Sequence, residues 1–252
     1  MKTTNILAIS GNDIFSGGGL CADLTTYAVN HIHGFVAVSC LTAMTENGFE
    51  VIPTDPQILK QQLDSLKAVN FSAVKIGLLP NIQTVQVVLE FLSKMPSCPI
   101  VLDPVLVCKE KHDLEVSQLG QELVSLFPYA SLVTPNLVEA QLLTGLTINN
   151  LDQMKEAAIK LNQMGAKHVV IKGGNRLEQD QAIDLYYDGQ QFSTYTNPVL
   201  NGNNAGAGCT FASSIASRLA LGDSKEKAIA ASKDFVYQAI KNADQYGVVQ
   251  YF

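Results

Sequence analysis

The alternation of short apolar runs with longer amphipathic stretches is the feature of this sequence that most limits its fold. Each apolar run has the length of a strand, and the stretches between them carry apolar residues at helical spacing. The predicted strands are 5–10, 34–41, 73–78, 100–107, 132–134, 168–172, 182–187 and 191–195. The predicted helices are 19–30, 56–68, 82–93, 118–127, 137–143, 151–164, 210–221 and 225–243. Such an order predicts an α/β fold, with a mostly parallel sheet covered by helices on both faces.

The last two predicted strands flank Asp188-Gly189, a dipeptide that is typical of a β-hairpin turn. Antiparallel strands are therefore expected near one edge of the sheet. The chain shows no linker, low-complexity tract or internal repeat that would mark a domain boundary. We expect one domain over residues 1–252, because this length suits a single large α/β unit.

Composition excludes several classes of function. The net charge of −6 leaves no basic stripe for a nucleic-acid partner. No apolar run reaches the roughly 18 residues of a membrane span, and the first 12 residues read as a strand and not as a signal peptide. We therefore expect a cytoplasmic protein without membrane contact.

The chain has five cysteines, an odd number, and no CxxC pair. A disulfide framework or a zinc cluster is therefore not expected. Cys21, Cys40 and Cys98 are expected to serve as small buried apolar residues.

The segment Gly206-Ala207-Gly208-Cys209-Thr210 leads into a predicted helix. Small residues allow several backbone N–H groups to turn toward one point, and a helix N-terminus adds about half a positive charge there. This segment predicts an anion site, most simply for a phosphate in transfer. A thiol at this position is expected to ionise more easily than a free one.

A second glycine-rich loop, residues 11–19, follows the first strand and precedes the first helix. The G-x-G-x-x-G register of a dinucleotide site is absent, which disfavours a nicotinamide cofactor. Two alternatives stay open. The loop is either an ordinary glycine-rich turn or a place where backbone closes on a small substrate, with Asp13 and Asp23 nearby.

Two further strand ends carry charged residues. Asp103 ends an apolar strand, where a carboxylate can hold magnesium or orient a hydroxyl, although an ordinary cap has the same appearance. Lys172 precedes Gly173-Gly174 and could reach phosphate oxygens. The GxxxxGK[ST] pattern of a P-loop is absent.

The segment Thr134-Pro135-Asn136-Leu137-Val138-Glu139 lies between a strand and a helix. If Pro135 opens the helix, Asn136 and Glu139 share one face and can hold a hydrated magnesium ion. The same spacing also fits ordinary helix capping.

Ligands of open α/β sheets bind beyond the carboxyl ends of the strands, where all these loops are expected. Their combination favours phosphoryl transfer. The alternatives are a catalytically idle small-molecule sensor and a dehydrogenase.

In this order the motifs resemble the ribokinase-like superfamily, and within it the branch of vitamin kinases. The resemblance is carried by residues 11–23, Lys75-Ile76-Gly77-Leu78, Asp103-Pro104-Val105-Leu106-Val107, residues 134–139, residues 172–174 and residues 206–210. It covers nearly the whole chain. It implies a three-layer αβα fold with a small lid segment, ATP and Mg²⁺ as cofactors, and a homodimer.

This branch contains kinases of pyridoxal and pyridoxine, and kinases of hydroxymethylpyrimidine and its monophosphate. The pyrimidine kinases usually carry a glutamine after Leu-Thr-Ala, where this chain has Met44, which cannot form paired hydrogen bonds. Cys108 matches the lid thiol of the pyridoxal kinases that use two cysteines. The first activity is therefore expected. The second stays open because residues 45–49 are short and lack histidine, and because Asn204-Ala205 replaces the usual Thr-His.

The resemblance also assigns roles to single residues. The catalytic set is Cys209, Cys108, Gly206, Ala207 and Gly208. The nucleotide-binding set is Asn136, Glu139, Lys172, Gly174 and Thr210. The substrate-binding set is Gly11, Asp13, Gly18, Asp23, Met44, Leu78 and Val105. The metal-binding set is Asp103 and Glu139.

Overall fold

The computed structural model describes residues 3–106 and 113–251. The strands are β1 Asn5–Asn12, β2 His33–Thr45, β3 Gly48–Pro53, β4 Ala73–Ile76, β5 Ile100–Leu102, β6 Leu132–Val133, β7 Val169–Lys172, β8 Gln181–Tyr187 and β9 Phe192–Pro198. The helices are α1 Gly19–Val29, α2 Pro56–Ser65, α3 Ile82–Lys94, α4 Asp113–Val124, α5 Leu137–Thr144, α6 Leu151–Gln163, α7 Ala207–Ala220 and α8 Lys225–Lys241.

The described strands form one nine-stranded sheet in the order β3-β2-β1-β4-β5-β6-β7-β8-β9. Six neighbouring strands of this sheet run parallel, namely β2, β1, β4, β5, β6 and β7. β3 is antiparallel to β2 at one edge, and the β8–β9 hairpin is antiparallel at the other. The strand order reverses at β1, so the crevice beside its carboxyl end is the place where a ligand is expected.

Helices cover both faces of the sheet, which explains why the central strands are apolar on both sides. Along β1, Leu7 and Ile9 pack into the core on the side of α2, α3, α5 and α6, while Ile6 and Ala8 pack toward α1. A third cluster joins α7 and α8 to the middle of the sheet. The predicted three-layer α/β arrangement is therefore confirmed.

One hairpin was absent from the sequence prediction. β2 continues to Thr45, four residues past the predicted end, and turns through residues 46–47 into β3. Gly48 has a φ of +103°, and the Thr45 hydroxyl donates to Glu50 Oε1 at 2.7 Å. The Asn47-Gly48 dipeptide is itself a hairpin signal, which the hydrophobic pattern alone did not capture.

Two other bounds differ in ways that matter for the site. β5 ends at Leu102, five residues before the predicted end, because Pro104 cannot donate to a central ladder. α7 begins at Ala207, three residues before the predicted start at Thr210. The small residues of the anion loop are therefore the first turn of this helix.

Within the described residues, no helix combines the length and the apolar character that crossing a membrane would need.

Candidate active site

The loop after β1 lies directly against the start of α7. Gly206 is the N-cap of α7 with a φ of +83°, and a Cβ on it would lie 1.5 Å from the carbonyl oxygen of Gly17. The N–H of Gly19 donates to Cys209 Sγ at 3.4 Å. Glycine is required at position 206 by both conformation and space. The predicted anion loop therefore faces the glycine-rich loop of the first crossover.

The first turn of α7 presents backbone N–H groups to the crevice. Within the described part of the chain, no side chain caps this helix, and residues 206–209 are all partly exposed. The N–H groups of a first turn have no partner inside the helix, and the helix dipole favours negative charge beside them. This end of α7 is therefore suited to hold a phosphoryl group.

A buried ion pair lies beneath the α7 terminus. Lys172 Nζ donates to Asp103 Oδ1 at 2.6 Å, and the Thr134 hydroxyl donates to the same oxygen at 3.3 Å. A Cβ on Gly208 would lie 3.4 Å from Lys172 Nζ, so the ammonium group is next to the first turn. Burial works against the charged lysine, but Asp103 and Glu139 raise the pKa of Lys172 above its usual value. A cation is therefore available at the anion site.

Asn136 and Glu139 form a capping box at the start of α5. The N–H of Asn136 donates to Glu139 Oε2 at 2.7 Å, and the N–H of Glu139 donates to Asn136 Oδ1 at 2.9 Å. The helix begins at Leu137, so the idea that Pro135 opens it is wrong, and the capping alternative is confirmed. Burial raises the pKa of Glu139 to about 7, with Lys172 opposing the shift.

A cavity of about 360 Å³ extends from Lys172 toward α8. Its volume is typical of small-molecule sites. Its wall includes a second ion pair that the sequence analysis did not find. Lys233 Nζ donates to Asp184 Oδ2 at 2.8 Å, while Asp184 Oδ1 accepts from the N–H of Gly173 at 3.1 Å. This pair therefore fixes the turn that follows Lys172. The available signal was a lysine at position 233, one turn after Ile229 on the buried face of α8.

Comparison with known proteins agrees with this geometry. The sequence model described as phosphomethylpyrimidine kinase matches residues 13–251. The chain belongs to the phosphomethylpyrimidine kinase family. The predicted branch of vitamin kinases and the predicted small-molecule kinase are thereby confirmed.

Some proteins similar to this family member are named as kinases of B6 vitamers, and others as kinases of hydroxymethylpyrimidine. The putative pyridoxine kinase of Staphylococcus epidermidis is 38% identical over 247 residues, which cover 96% of this chain and 90% of that protein. The hydroxymethylpyrimidine/phosphomethylpyrimidine kinase of Bacillus subtilis is 34% identical over 249 residues, which cover 96% and 91%. The structure of the pyridoxal kinase from Staphylococcus aureus in complex with AMP-PCP and pyridoxal has a TM-score of 0.91 and 34% identity, and covers 99% of this chain and 94% of that one.

Two residues predicted to touch ligands in this family member are instead buried. Asp23 has no exposed surface, and its carboxylate accepts from Lys75 Nζ at 2.8 Å and from the Ser213 hydroxyl. The Thr210 hydroxyl is likewise buried and accepts from Gln250 Nε2 at 3.0 Å. The sequence predicted that Asp23 contacts substrate and that Thr210 contacts nucleotide. These predictions do not fit the structure, because the Asp23 carboxylate and the Thr210 hydroxyl are buried and already form hydrogen bonds with other side chains.

Asp13 shapes the glycine-rich loop. Its Oδ2 accepts from the N–H of Gly18 at 2.8 Å, and its Oδ1 accepts from the N–H of Phe15 at 3.1 Å. A Cβ on Gly18 would lie 3.8 Å from Cys209 Sγ, which puts Gly18 at the predicted point of transfer. Gly11 is farther back, where a Cβ would lie 2.5 Å from Cys40 Sγ.

The other predicted residues lie around the crevice or beyond it. Leu78 and Val105 follow β4 and β5 at the carboxyl edge, and Gly174 follows β7 in the cavity wall with a φ of +57°. Met44 is 58% exposed near the β2–β3 turn. Cys108 and the predicted lid segment around it lie outside the described residues.

The thiols only partly meet the expectations. Burial raises the pKa of Cys209 above its usual value, while Lys75 opposes the shift, so the expectation of an easily ionised thiol is wrong for the protein without ligands. Loss of hydration exceeds the opposing effects of Lys75 and of the Gly19 N–H on this thiol. Cys40 is buried as expected, whereas Cys21 and Cys98 are half-buried.

Gly206→Ala tests the contact between the two loops. The new Cβ would displace Gly17, so we expect kcat/KM for phosphoryl transfer to fall about 100-fold. Gly222→Ala is the matched control, because Gly222 has a φ of +94° at the other end of α7 with no atom within 4 Å of a Cβ. Steady-state kinetics that show equal effects of both variants would contradict the role of this contact.

Lys233→Met tests the second ion pair. We expect ADP affinity, measured by titration calorimetry, to fall about tenfold, because Asp184 loses its partner and the Gly173 turn loosens. Lys227→Met on the exposed side of α8 is the control, since its partner Asp223 lies outside the cavity. Unchanged ADP affinity of a folded Lys233→Met protein would remove Lys233 from the nucleotide site.

Proposed function

We propose that this protein transfers the terminal phosphoryl group of ATP to the hydroxymethyl group of pyridoxal and pyridoxine. The observation that carries the proposal is the uncapped first turn of α7, faced by Gly18 and Gly19 and underlain by Lys172. Backbone donors, a cation and a narrow crevice together are what phosphoryl transfer needs, since positioning and charge stabilisation dominate that reaction.

The vitamer assignment is supported by the similar proteins and by one side chain. The matched Staphylococcus proteins are named as kinases of pyridoxine and of pyridoxal. Met44 offers a thioether where a pyrimidine ring would need a paired donor and acceptor. A B6 vitamer is therefore the better fit.

Nucleotide is proposed to occupy the cavity between α7 and α8. Its phosphates would point toward Lys172 and the α7 terminus, and Gly174 would let backbone approach them closely. The base and ribose would lie toward Lys233 and Tyr237. The solved relatives in complex with ADP or AMP-PCP support nucleotide binding at a site of this fold.

Mg²⁺ fits the carboxylates beside Lys172. Magnesium is usually held by one or two carboxylates together with waters and substrate phosphates, and Asp103 and Glu139 supply that set. When bound, the ion would neutralise charge on the phosphate oxygens. After burial, the Asp103 charge adds to the rise in the pKa of Glu139 and Lys172 opposes it, as expected for two carboxylates that lie near each other beside a cation.

Cys209 is the group at the point of transfer. It lies on the first turn of α7, where the hydroxymethyl oxygen of the substrate would meet the phosphoryl group. Two roles are proposed as alternatives: its thiolate would accept the hydroxyl proton, or its thiol would only orient the hydroxyl. For pyridoxal, Cys108 is proposed to add to the aldehyde and form a hemithioacetal, which holds the substrate under the lid.

Hydroxymethylpyrimidine and its monophosphate are the second candidate substrates. The family description and the Bacillus subtilis relative favour them. We also propose that the chain is one domain and acts in the cytoplasm, as its sequence pattern and composition indicate, and that it forms a homodimer, as the resemblance implies. The exposed apolar side chains of β2 and β3, among them Leu41 and Ile52, support a partner surface.

Side-by-side kinetics test the proposed function. We expect kcat/KM for pyridoxal and pyridoxine to exceed that for hydroxymethylpyrimidine by about 100-fold, because Met44 leaves the polar edge of the pyrimidine unpaired. The reverse order would assign the chain to the thiamine branch, and the absence of ADP release with all three would exclude a vitamin kinase.

The two cysteines are predicted to differ in their effects. Cys209→Ala should lower kcat about 100-fold with both pyridoxal and pyridoxine, because both use the same transfer point. Cys108→Ala should lower turnover of pyridoxal more than that of pyridoxine, since only the aldehyde forms a hemithioacetal. Cys98→Ala, at a half-buried thiol beside the core, is the control. Equal losses with both vitamers in Cys108→Ala would exclude the covalent adduct.

A further inference from the structure

A fully buried ion pair, which the mechanism above does not use, joins β4 to α1. Lys75 Nζ donates to Asp23 Oδ1 at 2.8 Å and to Oδ2 at 2.9 Å, and neither side chain has exposed surface. The Ser213 hydroxyl of α7 also donates to Asp23 Oδ1. Buried lysines and aspartates are rare, and apolar replacements of such pairs often leave a fold as stable. The pair therefore invites an explanation besides stability.

The position of the pair relates it to the thiol. Ser213 lies one helical turn after Cys209 on α7, and Asp23 lies one turn after Gly19 on α1. Gly19 and Cys209 are themselves in contact through the 3.4 Å hydrogen bond. Ser213 and Asp23 are therefore each displaced by one turn, about 5 Å along the helix axis, from the two residues of this contact.

The ammonium group points toward the same edge of the sheet. A Cβ on Gly77, just after β4, would lie 2.7 Å from Lys75 Nζ. Glycine at this position leaves room for the charge at the carboxyl end of the strand. Since the pair is sealed from solvent, water screens its effect on Cys209 only weakly.

We propose that the Lys75–Asp23 pair sets the acidity of the Cys209 thiol, with Lys75 favouring the thiolate and Asp23 limiting that effect. The proposal deepens the proposed function, on which the catalytic use of Cys209 rests. Lys75 and Asp23 are in this respect positioning residues that act through Cys209.

The charges that face the thiol agree in sign with this assignment. Burial raises the pKa of Cys209 most, Lys75 lowers it, and Asp23 and Asp103 raise it by smaller amounts. Lys172 lies on the other side, next to Gly208. Burial raises the pKa of the Tyr27 phenol, and the nearby Asp23 charge raises it further, so this phenol stays neutral. Removing only the carboxylate should therefore favour the thiolate, and removing both charges should disfavour it.

The test measures ionisation of Cys209 directly. The rate of alkylation by iodoacetamide is followed against pH on the peptide that contains Cys209, by mass spectrometry, in the full chain. Asp23→Asn should lower the pKa of Cys209 by about one unit, and Asp23→Asn with Lys75→Met should raise it by about one unit. In both variants the limiting rate at high pH, which reports access of the reagent, should match the wild-type rate.

The control variant removes a buried contact of α7 that carries no charge. Ser232→Ala removes a buried hydrogen bond of 2.8 Å from α8 to Ser214 on α7, and should leave the pKa unchanged. If the double variant fails to fold, Asp23→Leu with Lys75→Met makes the same change of charge and should shift the pKa in the same direction. The proposal would be overturned if the pKa of Cys209 moved in the same direction in the single and the double variant, or did not move in either. An increased limiting rate at high pH would also overturn it, because the variants would then differ in access of the reagent. Because no vitamer is used, the result is independent of which substrate the enzyme takes.

Discussion

The contact between the loop after β1 and the N-terminus of α7 is the constraint around which the proposed site is built. Gly206 adopts a left-handed conformation against the carbonyl of Gly17, which brings two distant parts of the chain to backbone contact. The helix terminus then faces the glycine-rich loop, with the Cys209 thiol in contact with the Gly19 N–H. This is the space in which we propose that a phosphoryl group and an acceptor hydroxyl meet. The ion pairs, the cavity and the thiol are all arranged around it.

Three buried ion pairs lie at or near this contact, each at a different depth. Asp103–Lys172 is next to the first turn of α7, Asp184–Lys233 is in the wall of the cavity proposed for nucleotide, and Asp23–Lys75 is one turn from the Gly19–Cys209 contact. Lys172 of β7 pairs with Asp103 in the loop after β5, and each of the other two pairs joins a strand to a helix. Charges held in this way need little reorganisation when a charged ligand arrives, which is the condition for electrostatic catalysis. Their energetic cost to the fold is therefore consistent with a catalytic purpose.

The sequence was sufficient to predict the sheet and the edge at which the site lies. Apolar periodicity located β1, β4 and the helices between them, and parallel strands then force their carboxyl ends together. It was not sufficient for contacts that depend on three dimensions. Asp184 and Lys233 are 49 residues apart, and no local motif links them. Asp23 comes soon after the glycine-rich loop, where a substrate-binding residue is expected, yet its position on α1 directs its side chain into the core. The acidity of Cys209 depends on lost hydration, which a motif does not report.

The residues of the site come from nearly every part of the sheet, from Gly18 after β1 to Lys233 in α8. Several of their contacts span long sequence separations, such as the 190 residues between Gly19 and Cys209 and the 69 residues between Asp103 and Lys172. Neither half of the molecule alone therefore contains all the residues proposed to bind nucleotide, and the proposed site is complete only when α7 and α8 have docked on the sheet. A nucleotide that binds only this finished arrangement adds its binding free energy to the stability of the whole chain. Cellular ATP thus would act as a folding ligand, protecting the enzyme from unfolding and proteolysis even when no vitamin is present.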